Sequence, residues 1–225
     1  DVVCGHGSTV GPLEEDARGA IEGAAVLGGD VEVAEWRLAC RSCGFDAPSG
    51  LVDRLAAATL AVDTATGWRF AHGLVSEFIY KGLTARVDDL AGLHARCFRT
   101  LDFLHGRSAR ADDALRCAYH AAGSGDVDAA FTAYERASAL LVHSGDPVAL
   151  EAVLEAQDRL LDQMNAGPGH EKRLLGQVWR SRLEMYRGEF DAAIELAEHV
   201  VRQADPMSGA GVFGRRMLAM YVSNR

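Results

Sequence analysis

From Leu13 onward, the apolar positions Ala17, Ala20, Ile21, Ala24, Ala25 and Leu27 recur on one helical face until Gly28-Gly29 interrupts them, which predicts a first helix. The run DVEVAEWRLACRSCG predicts a second, with Asp30 in position to cap it. DAPSGLVDRLAAATLAVD predicts a third, capped by Ser49, with Leu51, Val52, Leu55, Ala58 and Thr59 facing inward. TLAVD and WRFA flank the turn TATG and read as a short hairpin. Three short helices followed by a hairpin outline a winged helix. His72 to Leu83 then continues as a helix with Leu74, Val75, Phe78 and Ile79 on one face. A long helix is predicted from Arg86 to about His105, carrying the stripe Leu90, His94, Cys97, Leu101 and Leu104.

After Gly106 the pattern becomes helix, turn, helix. The periodicity predicts helices at 110–122, 127–143, 147–164, 171–187 and 190–204, with another beginning near 211. GDVDAAFTAYERA (Gly125–Ala137) and GEFDAAIELAEHV (Gly188–Val200) share a turn that reads Gly, acid, apolar, Asp, Ala, Ala. GDPVALEAVLEA (Gly145–Ala156) is a weaker copy. Recurring helices that cannot bury their faces alone point to a TPR-like α-solenoid. The expected organisation is a loop at 1–11, a winged-helix-like domain with its long helix at 12–106, and helical repeats at 107–225.

Composition narrows this to a mainly α fold. Aromatic residues make up only 7% of the chain, so Ala, Leu and Val must build most of the core, which suits close-packed helices. The net charge is −9, and only Lys81 and Lys172 among 23 basic residues are lysines. Residues 12–105 hold 9 basic and 14 acidic groups, a balance of −5, and the third helix offers only Arg54 for phosphates or base edges. Direct binding of nucleic acid by this segment is therefore not expected. No apolar run nears the length of a membrane span, and no charged segment precedes a signal-like apolar run. Five cysteines, an odd number, predict reduced thiols and a cytoplasmic location. The absence of an initial Met, and the apolar run Met217–Val222 close to the end, suggest a piece of a larger protein.

The chemical motifs stay incomplete. A phosphate-binding loop needs Gly-Lys followed by Ser or Thr, and neither lysine follows a glycine. GHGSTVG (Gly5–Gly11) is loop-like but lacks the lysine. Cys40-x-x-Cys43 has zinc spacing, but Cys97 and Cys117 are single residues on helices and no second pair completes four ligands. HEKRL (His170–Leu174) begins like a zincin helix, with Leu174 where the second histidine belongs. His94 falls in a core stripe and reads as a buried, satisfied histidine. His72 sits where a strand becomes a helix, a position whose free N–H groups favour anions. Glu77, five residues on, would project about 140° away around the helix, so the two form no acid–base pair. No catalytic residues and no metal set result, and the chain reads as non-enzymatic.

WRFAHGLVSEFIYKGLTARVDDLAGLHARCFRTLD resembles the segment that follows the ATPase core in STAND-type signalling NTPases. That group includes large LuxR-type transcriptional activators and ATPase regions attached to nucleotidyl cyclases or Ser/Thr kinases. Phe70, His72, Leu74, Val75, Glu77, Tyr80, Leu83, Arg86, Leu93 and His94 carry the resemblance. ARGAIEGAAVLGGDVEV resembles the first helix of the same region, and the likeness extends over about residues 12–205. Ala71 stands where the family usually has Arg, and the Walker A and B motifs are absent. The resemblance implies a non-catalytic regulatory segment acting in signal transduction and transcription regulation, with ATP or ADP held by an upstream ATPase domain. It further implies that His72 senses the bound ADP phosphate. Phe70, Leu74, Val75, Phe78, Ile79 and Tyr80 would pack the domain joint. The repeats would bind an inducer or a protein partner, with room for self-association. The alternatives are a free-standing TPR-like scaffold, or part of a cyclase or kinase whose catalytic domain lies elsewhere.

Overall fold

A computed structural model describes residues 12–86 and 90–223, so the expected loop at 1–11 lies outside the described residues. The chain is mainly helical. Among the described residues there are eleven helices and one three-stranded antiparallel sheet. They divide into two compact units, the first ending at Leu104 and the second running His105–Arg225.

The first unit opens with helix α1 (Pro12–Leu27), in which Ala20, Ala24, Ala25, Val26 and Leu27 are buried. Gly28 and Gly29 end it at φ +70° and +62°, a conformation that costs glycine little. The next residues correct the expected second helix. Val31–Glu32 form strand β1, and helix α2 (Val33–Ser42) begins only afterwards, with Glu32 rather than Asp30 at its N-cap position and no side-chain cap. Residues 31 and 32 pair with strand β3 (Gly67–Phe70), through Val31 with Trp68 and Glu32 with Gly67. This partner is more than thirty residues away, so local periodicity cannot reveal it. Helix α3 (Leu51–Ala57) is also shorter than expected. Gly50, left-handed at φ +67°, precedes it, Ser49 does not cap it, and Ala58 and Thr59 are exposed beyond its end.

The hairpin forms as predicted. Strand β2 (Ala61–Asp63) pairs with β3, and Thr64 closes the turn by donating its N–H to the Gly67 carbonyl at 2.9 Å. The sheet order is β1-β3-β2. Trp68 lies at the centre of the buried aromatic side chains, with edge-to-face contacts to Trp36 at 5.4 Å and Phe70 at 5.1 Å. The Trp36 indole N–H donates to the Ala20 carbonyl at 2.7 Å, tying α2 to α1. Helix α4 (Gly73–Arg86) follows, so Arg86, expected to open the next helix, is described within this one. Helix α5 (Leu90–His105) buries His94, Cys97 and Leu101 as the stripe predicted, while Leu104 is exposed.

The second unit contains α6 (Ala111–Gly123), α7 (Val127–Ser144), α8 (Pro147–Gln163), α9 (Glu171–Arg187), α10 (Phe190–Gln203) and α11 (Gly209–Ser223). These lie close to the predicted ranges. From α7 onward each helix packs on the one before it, and α9 also meets α7 and α11. The three recurrent turns share one device: Gly125, Gly145 and Gly188 adopt φ of +79°, +72° and +82°. Asp126 and Asp146 then cap the next helix by accepting from the N–H groups of Ala129 and Ala149, whereas Glu189 makes no such bond. Leu141, Leu150, Val153, Leu154 and Leu183 form one core cluster. Leu174, Val178, Ala197, Val200, Met217 and Tyr221 belong to another. Trp179 packs on the first and contacts Phe213, at the edge of the second, at 4.9 Å. No helix among the described residues is long and apolar enough to cross a membrane.

Candidate functional site

Strand β3 ends at Phe70, and two residues later His72 opens α4 by accepting the Val75 N–H on its carbonyl at 2.9 Å. The His72 side chain is exposed, as is Glu77. Phe70 is buried, and Val75, Ile79 and Tyr80 are half-buried. Leu74 and Phe78, expected at a joint with another domain, are 76% and 79% exposed. They stand one turn apart on α4, which makes them neighbours on the helix surface. Phe78 and Ile79 also wall a shallow groove against α1, completed by Ala17, Ile21 and the stems of Arg18 and Glu22. The junction thus presents an imidazole, a helix start and two uncovered apolar side chains on neighbouring residues.

Tyr80 and His94 hold α4 to α5. The Tyr80 hydroxyl lies 2.9 Å from Nε2 of His94, and the rings meet edge to face with centroids 6.1 Å apart. His94 is buried, and burial pushes its pKa below the ordinary 6.5 because the charged ring loses hydration. It is a structural histidine, as its place in the stripe predicted.

The remaining motifs resolve into structure. His170 is the N-cap of α9, its Nδ1 accepting from the Lys172 N–H at 3.3 Å, so HEKRL is a helix start. Lys172 lies 5.1 Å from the centroid of the Phe131 ring and pairs with Asp128, joining α9 to α7. That pairing spans 44 residues and left no local signal. Cys117 is buried in α6. Cys97, which reads as a solitary residue, instead lines the same cavity as Cys40 and Cys43. Its inward place in the α5 stripe was visible in the sequence; the shared cavity was not.

No family model, no curated protein and no solved structure matches the chain.

Proposed function

We propose that the first unit is a winged-helix relay module and the second a TPR-like solenoid. Together they form a non-catalytic regulatory segment of a multidomain signal-transduction ATPase. The order helix, strand, helix, helix, hairpin, with β3 between β1 and β2, supports the winged-helix reading. Helices that pack mainly on their sequence neighbours support the solenoid reading.

The observation that carries the functional reading is the exposed Leu74–Phe78 pair beside exposed His72. Large apolar side chains held together in solvent mark a partner surface. Covering a leucine and a phenylalanine supplies about 1.5–3 kcal/mol each, enough to favour docking of a second domain. With that domain seated, His72 and the start of α4 would face a nucleotide phosphate. The imidazole would donate to a phosphate oxygen, and release of ADP would free the joint. The repeats would bind an inducer or a protein partner.

In the full-length protein, His72→Ala should speed ADP dissociation and raise basal signalling. Loss of a hydrogen bond to a charged group costs about 1.5–3 kcal/mol, or about 10- to 150-fold. ADP retention equal to that of the unaltered protein would overturn the reading. A second reading, a free-standing helical-repeat scaffold, draws on two core clusters whose residues all lie in the second unit.

A further inference from the structure

Cys40 lies in the last turn of α2, and Cys43 follows as its C-cap residue. The Cys43 N–H donates to the Cys40 carbonyl at 2.9 Å, the Gly44 N–H to the Arg41 carbonyl at 2.9 Å, and the Phe45 N–H to the Cys40 carbonyl at 3.3 Å. A turn closed in this way keeps its first and fourth Cα atoms within about 7 Å. Disulfides span Cα separations of about 4.4–6.8 Å. The two thiols differ in access: Cys43 is exposed, and Cys40 is buried in the wall of a cavity of about 190 Å³. Cys97, Phe45, Leu93 and Gly19 share that wall. The sulfurs of Cys40, Cys43 and Cys97 do not all come within 4.8 Å of one another, so they are not a preformed metal site. The free volume beside Cys40 instead leaves its side chain room to turn toward Cys43.

We propose that Cys40 and Cys43 are an oxidation site: a hydroperoxide oxidises Cys43, and Cys40 closes a disulfide onto it. In the first step the Cys43 thiolate attacks the peroxide, the O–O bond breaks, and the leaving oxygen takes a proton to become water or an alcohol. Cys43 becomes a sulfenic acid. In the second step the Cys40 sulfur attacks the Cys43 sulfur, the S–S bond forms, the S–O bond breaks, and the Cys40 proton leaves with the hydroxyl as water. Two thiols lose two electrons and one hydroperoxide gains them. Burial, together with the nearby Cys43 and Asp46, pushes the Cys40 thiol up to about 12, which slows the second step at neutral pH. The bridge would pin the turn that sets Phe45 against Gly19 of α1, where an added β-carbon would lie 2.9 Å from the ring.

The test is to expose the 225-residue protein to hydrogen peroxide, block remaining thiols, and digest with trypsin. Cleavage after Arg37, Arg41 and Arg54 separates the two cysteines, so the bridge appears as Leu38–Arg41 linked to Ser42–Arg54. That linked peptide should be the main product. Cys43→Ser should abolish it and Cys97→Ser should leave it. Cys40→Ser should leave Cys43 as a sulfenic acid that a 1,3-diketone probe captures. Closure should quicken about tenfold per pH unit from about pH 7 to 9, following the thiolate fraction of Cys40. Cys43 advancing to a sulfinic acid without the linked peptide would overturn the proposal. So would a bridge from Cys43 to Cys97 or to a second molecule.

Discussion

Leu174 and Val178 in α9, and Leu74 and Phe78 in α4, repeat at the same four-residue spacing. The first pair is buried in the core cluster around α9, α10 and α11, while the second stands in solvent. The difference lies in what each helix finds beside it. α9 has α7, α8, α10 and α11 as neighbours. Among the described residues α4 packs on α1, touches β3 and meets α5 through Tyr80 and His94, while Leu74 and Phe78 stay largely exposed. Apolar spacing therefore predicts that a helix has a face to bury, but not whether the covering surface belongs to the same chain.

The largest effect should come from emptying the core of the second unit. Leu154→Ala removes a buried side chain and should cost about 2–5 kcal/mol in chemical denaturation. The matching cut in α4, Phe78→Ala, should change stability by no more than about 0.5 kcal/mol. Comparable losses at both sites would erase the contrast between the two helices.

A smaller effect belongs to the turns. Asp126→Ala and Asp146→Ala each remove a side-chain acceptor from a helix start and should cost about 1 kcal/mol. Glu189→Asp places the shorter acid where no cap bond exists and should raise the thermal midpoint slightly.

The smallest of the stability effects concerns His94, whose folded-state pKa is depressed by burial. The unfolded chain then binds more protons than the folded one just below the ordinary value. Stability is full above 6.5 and falls as pH drops through it. Denaturation midpoints from pH 8 to 5 should show this fall, and His94→Gln should flatten it.

The second unit was largely legible in the sequence because its signals are local. Gly125, Gly145 and Gly188 mark turns whose left-handed geometry the structure contains, and the helix ranges follow from 3.6-residue periodicity. The first unit was legible only where the signal was local too, as in α1 with its Gly28-Gly29 stop and in the TATG hairpin. Val31–Glu32 form a strand only because β3 lies beside them, and α3 starts from a left-handed Gly50 rather than a Ser49 cap. At the candidate site, the exposure of His72 fits its place at a strand-to-helix junction. The apolar spacing of Leu74 and Phe78 marks a helix face, but spacing alone does not say that this face stands in solvent. The cavity shared by Cys40, Cys43 and Cys97 depends on α2 meeting α5, which no spacing records.

The proposed function requires the exposed α4 face to be a surface for the nucleotide-holding domain. The most direct measurement is ADP dissociation from the full-length protein carrying Leu74→Ser and Phe78→Ser together, beside the thermal midpoint of the 225-residue chain carrying the same changes. ADP release should be faster by about tenfold or more, with the midpoint of the isolated chain essentially unmoved. ADP release at the unaltered rate, or a chain that unfolds when these two exposed residues are changed, would contradict it.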